Sequence, residues 1–196
     1  MIIGISGTIG SGKDTLASLI IKHAHSKYND IPNRFVNESQ LVKSKSFANK
    51  LKVMGAFLTG TEQSLWFTQE GKNIVLPAWG MTIGEFQQKL GTEAIRDGLH
   101  INAWVLALMA DYDKIYNWII TDVRFPNEAE AVKERGGIVI RINGDPAGVR
   151  ARSSRNLNHP SEIALDNYEK FDYIYTNDKS LADLEDFAKD IASKYL

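Results

Sequence analysis

The opening segment restricts this chain more than any other part of it. Ile2 to Ser6 is a short apolar run, Gly7-Thr8-Ile9-Gly10-Ser11-Gly12 is a glycine-rich loop, and from Lys13 onward Leu16, Leu19, Ile20 and Ala24 recur at helical spacing. That order predicts a buried strand, a tight turn and a helix. The spacing Gly-x-x-x-x-Gly-Lys between Gly7, Gly12 and Lys13 is that of a Walker A loop, and strand before and helix after are the context such a loop requires. Glycines let successive backbone N–H groups turn inward around phosphate oxygens, the helix N-terminus adds partial positive charge, and the lysine reaches the outer phosphates of a nucleotide. Gly7, Gly10, Ser11, Gly12, Lys13, Asp14 and Thr15 are therefore the candidate ATP-binding residues.

One position departs from the pattern. Where the loop normally offers a Ser or Thr hydroxyl to Mg2+, this chain has Asp14, with Thr15 following. Several roles are open to Asp14: it ligates the metal itself or through water, it leaves that role to Thr15, or it faces the acceptor. Otherwise it is simply an acidic residue favoured in a first helical turn.

Further along, Leu51, Met54, Phe57 and Leu58 predict a helix ending at Gly60, followed by a turn-rich stretch to Gly80. Thr82 and Glu85 have the spacing of a capping box, opening a helix with Phe86, Leu90 and Ala94 on its apolar side and closing near Gly98. Another helix is expected over Ile101 to Ala110. Strands are expected at Trp118–Asp122, Ile138–Ile142 and Tyr173–Tyr175, with weaker signals at Phe35-Val36 and just before Phe47. Pro126 suits a first helical turn, Gly136-Gly137 stops that helix, and Ser180 and Asp183 cap a last one. Gly144 to Pro160 reads as a mobile excursion. Strands separated by helices need crossovers, which predicts an α/β three-layer sandwich with a mainly parallel sheet.

Asp122 ends an apolar run as a Walker B carboxylate does, a weak signal alone because many strands end in Asp for turn reasons, but a stronger one beside a phosphate loop. It joins Asp14 and Thr15 as a candidate metal ligand. Arg124, two residues on, points to the same sheet edge, where an anionic acceptor has to be held. In open α/β sheets, ligands bind beyond the carboxyl ends of the strands, which gathers these residues into one site.

Composition narrows the setting. With 43% hydrophobic and 24% charged residues in 196, this is a globular composition without an apolar stretch long enough to span a membrane, and no secretory leader is expected. The absence of cysteine excludes disulfides and thiolate chemistry, and a net charge of −1 gives no reason to coat nucleic acid or an anionic membrane. Phosphate affinity must then be local, as in the cluster Arg141, Arg150, Arg152 and Arg155.

Five pieces in order along nearly the whole chain resemble the deoxynucleoside monophosphate kinases known mainly from bacteriophages, within the P-loop kinases. They are Gly7 to Thr15 with its Gly-Lys-Asp-Thr ending; Phe47-Ala48 with Leu51-Lys52; Leu90-Gly91-Thr92-Glu93 with Arg96; Asp122-Val-Arg124-Phe125-Pro-Asn127-Glu128; and His159-Pro-Ser161-Glu162 ahead of a strand ending at Asn177. The resemblance implies one P-loop domain over residues 1–196 of nucleoside monophosphate kinase plan, with an acceptor-binding helical region at about 48–112 and a lid at about 144–160. It implies a cytoplasmic enzyme, in the host cytoplasm if phage-encoded, that uses ATP and Mg2+ to phosphorylate a deoxynucleoside monophosphate, and it implies homodimerisation. Lys13, Asp14 and Arg124 would serve catalysis with the lid arginines Arg150, Arg152 and Arg155, while Arg96, Asp122, Arg124 and Glu128 would serve the acceptor. The residues leave two competitors standing: a P-loop kinase for another small phosphate acceptor, such as dephospho-coenzyme A or a phosphomevalonate-like precursor, and a non-catalytic ATP-binding module. Trp66, Trp79 and Trp104 are candidates for stacking on a base or for the core, and His159 either anchors the lid or caps a turn.

Overall fold

The computed structural model describes the chain except residues 30–41 and 151–156, so the strand expected at Phe35-Val36, together with Arg152 and Arg155, lies outside the described residues. The elements in chain order are β1 (Ile2–Ser6), α1 (Lys13–Asn29), β2 (Val42–Lys45), α2 (Ala48–Thr59), α3 (Gln69–Lys72), β3 (Val75–Leu76), β4 (Met81–Thr82), α4 (Ile83–Gln88), α5 (Ala103–Met109), β5 (Asn117–Val123), α6 (Pro126–Lys133), β6 (Ile138–Asn143), α7 (Pro160–Ile163), β7 (Tyr173–Thr176) and α8 (Leu181–Tyr195). They group into two compact units, one from Met1–Ser46, Asp113–Ser153 and Ala164–Leu196, the other from Phe47–Tyr112 and Ser154–Ile163.

The first unit is built on a five-stranded sheet of order β2-β5-β1-β6-β7 in which every pairing is parallel. All five strands therefore end on one edge, and the loop after β1 leaves the middle of it. The β1 residues alternate between faces. Ile3 and Ile5 meet Leu16 and Ile20 of α1 and Leu184 and Ile191 of α8, all nearly or fully buried. On the opposite face Gly4 lies under Val132 of α6. Two helices on one side and one on the other make the expected three-layer α/β/α sandwich. Each fully buried Ile or Leu side chain contributes about 1.5–3 kcal/mol of transfer free energy, so this double-sided burial is what makes β1 a rigid base for its loop.

Local signals in this unit behave as their chemistry dictates. Pro126 occupies the first turn of α6. Ser180 caps α8, accepting from the Asp183 N–H while the Asp183 carboxylate accepts from the Ser180 N–H. Among the described residues, no helix is long and apolar enough to cross a membrane.

The second unit has its own small core of Ala56, Trp66, Leu76, Ile83 and Phe86. The turn-rich stretch up to Gly80 contains a 3-10 turn at Gln63–Phe67, α3 capped by the Thr68 hydroxyl, and β3, which pairs antiparallel with β4 just beyond it. Strands of two residues are too short to show alternation, which is why periodicity misses them. The capping box of Thr82 and Glu85 is present in both directions. The helix it opens runs on as expected, but from Lys89 to Asp97 it widens into a π-helix. Within this stretch the Trp104 indole N–H donates to the Gly91 carbonyl at 2.8 Å. A side-chain donor entering the backbone ladder is one way an α-helix is opened.

Candidate functional site

Ser6 ends β1 fully buried, and the chain then turns through Gly7–Gly12 into α1. Two glycines make the turn feasible. Gly10 has φ +81° and Gly12 φ +94°, values that side chains with a Cβ rarely adopt. Space is closed as well: a Cβ on Gly10 would lie 2.4 Å from Asp145 Oδ1, and one on Gly12 2.6 Å from Asn177 Nδ2. The turn is held from within by the Ser11 N–H donating to the Thr8 carbonyl at 3.3 Å. The Lys13 ammonium donates to that same carbonyl at 2.7 Å, so its charge sits at the loop. Ser11 is fully buried and its hydroxyl takes no hydrogen-bond partner among the described residues. Asp14 and Thr15 stand exposed on the first turn of α1. Backbone N–H groups at a helix start, with a lysine beside them, favour a phosphate-like anion.

The neighbouring strand end carries the acidic residue. Gly4 pairs with Ile120, but Ser6 pairs with Val123, so β5 holds one residue more than β1 over this interval. Such a bulge interrupts alternation and re-aims a side chain. Asp122 sits in it, half-buried, and its Oδ2 accepts from the Ser46 hydroxyl at 2.6 Å; Ser46 directly follows β2, the strand on the other side of β5. Two residues on is Arg124, also half-buried.

Glu128 is 4% exposed, and its Oε2 accepts from the backbone N–H groups of Arg124 at 2.7 Å and Phe125 at 3.1 Å. It thus caps α6 from the third position and fixes the backbone that carries Arg124. Burial, reinforced by the charge of Asp122, pushes the Glu128 carboxyl up to about 8, against the pull of those N–H groups and of Arg124.

The stretch expected to be a mobile excursion from Gly144 starts with a hydrogen-bonded turn. Asp145 accepts from the N–H groups of Val149 at 2.7 Å and Arg150 at 2.9 Å, and the same carboxylate packs on Gly10. Arg150 is therefore exposed at the base of a turn seated on the glycine loop. The structure brings together the residues of Gly7–Thr15, Asp122, Arg124, Glu128 and Arg150 within one unit. Arg96 belongs to the other, where its Nη1 donates to the Ile101 carbonyl at 3.1 Å.

Of the three tryptophans considered for base stacking, two are core residues. Trp66 is fully buried with its indole N–H on Thr61 Oγ1, and Trp104 is 9% exposed and bonded to Gly91; Trp79 remains 43% exposed. His159, 7% exposed, has Nδ1 on the N–H and hydroxyl of Ser161, while its Nε2 lies 3.5 Å from Glu93 Oε1. It caps a turn and faces a carboxylate at once. Among the described residues, no group of three or more His, Cys, Asp or Glu side chains is arranged to hold a metal.

Sequence reasoning overlooked Ser46 and Asp145 and marked Asn177 only as the end of a strand, without a role; each holds a site element from a distant part of the chain. Their only local signal is that each is a small polar residue just past a strand.

Comparison with known proteins bears on this geometry. Two solved structures overlay loosely: a shikimate kinase from Bacteroides thetaiotaomicron, 14% identical with a TM-score of 0.49 over 98% of this chain and 96% of its own, and a shikimate kinase from Acinetobacter baumannii in complex with shikimate, 14% identical with a TM-score of 0.40 over 98% and 89%. The fold is established by the sheet order itself. In sequence, a protein of Acanthamoeba polyphaga mimivirus assigned as a deoxynucleotide monophosphate kinase is 33% identical over 210 residues, covering 98% of this chain and 95% of that protein. The family model described as deoxynucleotide monophosphate kinase matches residues 33–187. The chain belongs to the deoxynucleotide monophosphate kinase family of nucleotide kinases.

Proposed function

We propose that this chain transfers the γ-phosphoryl group of ATP to a deoxynucleoside monophosphate, releasing ADP and the deoxynucleoside diphosphate. The observation that carries the reading is the glycine cradle after β1 with Asp122 and Arg124 at the end of the adjoining strand, in a chain of this family. An oxygen of the acceptor's phosphate attacks the γ-phosphorus, and the bond from that phosphorus to the β,γ-bridging oxygen breaks, leaving the electron pair on ADP. Such a transfer asks little covalent help of the protein. It asks for alignment and for charge to be neutralised where it develops.

The residues divide that work. Backbone N–H groups of Gly7–Lys13 hold the ATP phosphates, and the Lys13 ammonium exchanges the Thr8 carbonyl for β and γ oxygens. Arg124 takes the acceptor phosphate, with its backbone fixed by Glu128, and Arg96 assists from the acceptor-binding helical region at about 48–112. Arg150 extends from the seat that Asp145 makes on Gly10, and with Arg152 and Arg155 belongs to a lid at about 144–160. Arginines there supply positive charge and exclude the water that would otherwise accept the phosphoryl group.

Mg2+ fits the donor set. Asp14, Thr15 and Asp122 offer hard oxygen ligands, too few to cage a cation, as suits an ion held mainly by nucleotide phosphates and water. Bound there, it supplies further neutralisation of β and γ charge. The reaction places the chain among cytoplasmic nucleotide enzymes, and homodimerisation goes with the family reading.

The test is ADP release with ATP and Mg2+ against dAMP, dCMP, dGMP, dTMP, their ribose counterparts and dephospho-coenzyme A. Turnover with at least one deoxynucleotide is expected. Silence across all nucleotides, or turnover with dephospho-coenzyme A alone, would refute the proposal.

A further inference from the structure

The geometry points to Asn177 as a positioning residue for the phosphate cradle, acting from the far strand of the sheet through the Ser11-Gly12 peptide. The inference rests on the reading that Gly7–Lys13 binds the ATP phosphates. Asn177 directly follows β7 and is 6% exposed. Its side-chain Nδ2 donates to the Ser11 carbonyl at 3.0 Å, a buried bond across 166 residues of sequence. Its own backbone is fixed from two directions. The Asn177 N–H donates to the Asn143 carbonyl at 2.8 Å, and the Asn177 carbonyl lies so close to Gly144 that a Cβ there would approach it to 2.5 Å. The side chain is thus presented to the loop by a rigid strand end rather than by a flexible arm.

What this bond fixes follows from peptide planarity. The Ser11 carbonyl and the Gly12 N–H belong to one trans peptide and point in opposite directions. Holding the carbonyl toward Asn177 therefore turns the Gly12 N–H away from β7. That N–H takes no hydrogen bond among the described residues, whereas the Ser11 N–H is spent on Thr8 within the loop. With φ +94°, Gly12 belongs to the region of backbone space where a glycine peptide is free to flip, so an external clamp has something to decide. The lack of room for a Cβ at Gly12, 2.6 Å from Nδ2, shows how tightly clamp and loop are fitted. Asn177 need not touch the nucleotide to matter: preorienting a donor before the ligand arrives spares the ligand that ordering cost.

Asn177→Ala and Asn177→Ser are both too short to reach the Ser11 carbonyl, and neither adds charge near the phosphates. Binding of ATP and of inorganic tripolyphosphate to the full chain is measured by calorimetry, alongside KM for ATP, KM for the acceptor and the melting temperature. The expected result is a loss of about tenfold in affinity for both ATP and tripolyphosphate, the value of about one well-placed hydrogen bond, with the acceptor KM unmoved. Loss of ATP binding with tripolyphosphate spared would overturn the inference, because Asn177 would then be reading the nucleoside. Unchanged affinity for both, or a fall in melting temperature with all constants moving together, would reduce Asn177 to a structural residue and overturn it too. If the unsubstituted chain binds neither ligand, the ATP reading itself fails and takes this inference with it, an outcome distinct from failure of the variants alone.

Discussion

Glu128 provides a test whose sign and size both come from its surroundings. Its ordinary value is 4.5 and burial raises it to about 8, so between those limits the folded chain holds a proton that the unfolded chain has lost. Stability must then fall as pH rises, by about 1.4 kcal/mol per unit in mid-window and on the order of 5 kcal/mol in total. The contribution is fully present below pH 4.5 and lost as pH passes through 8. The lowered carboxyls work the other way: Glu85, Glu130, Asp183 and Glu185 are held down mainly by hydrogen bonds to Thr82, Lys170, Ser180 and Lys22, and their contributions are lost as pH falls below the ordinary carboxylate range. The two windows scarcely overlap. Glu128→Gln keeps an oxygen able to accept from the Arg124 and Phe125 N–H groups while removing the charge, so it mimics the protonated acid. Urea unfolding at pH 5, 6, 7 and 8, followed by circular dichroism, should find the two proteins similar at pH 5 and the variant several kcal/mol more stable at pH 8. Parallel curves across this range would refute the argument that Glu128 is buried at the expense of its charge.

Three further outcomes follow from particular contacts. Lys13→Ala should leave the fold intact and cut kcat by about 10²–10³, the usual cost of removing a preorganised charge aimed at the transition state; unchanged turnover would refute the loop assignment. Arg124→Ala should raise the acceptor KM by about 10–100-fold, the loss of a charged hydrogen-bonded pair, while sparing ATP affinity, and the reverse split in steady-state kinetics would show it on the wrong substrate. Gly55→Ala in α2 should lower stability by about 1–3 kcal/mol, because the new methyl would lie 2.1 Å from a ring atom of fully buried Trp66; a melting temperature at or above that of the parent would mean this core yields more easily than its packing suggests.

What the sequence disclosed, and what it did not, follows the range of the forces involved. The glycine loop was legible because its spacing, its preceding apolar run and its following helical period all lie within one short segment. The Thr82 and Ser180 capping boxes were legible for the same reason, since cap and partner are three residues apart. The bulge at Asp122 was not, because an extra residue in β5 exists only relative to β1, which it meets across more than a hundred residues of chain. Sequence could place an acidic residue at a strand end but not show that the strand end is re-aimed there.

The same distinction explains the residues to which the sequence reading gave no role. Ser46, Asp145 and Asn177 each follow a strand, where a small polar residue is unremarkable in sequence because turns favour such residues anyway. A parallel sheet brings all its strand ends to one edge, so residues that look like independent turn formers become neighbours of one loop. Ser46 holds Asp122, Asp145 seats the base of the arginine-bearing turn on Gly10, and Asn177 orients the Ser11-Gly12 peptide. The side chains that the sequence advertised are the ones suited to touch phosphate; the ones it concealed hold those groups still. Because catalysis of phosphoryl transfer is largely positioning, loss of such a holding residue should appear in substrate affinity before it appears in stability.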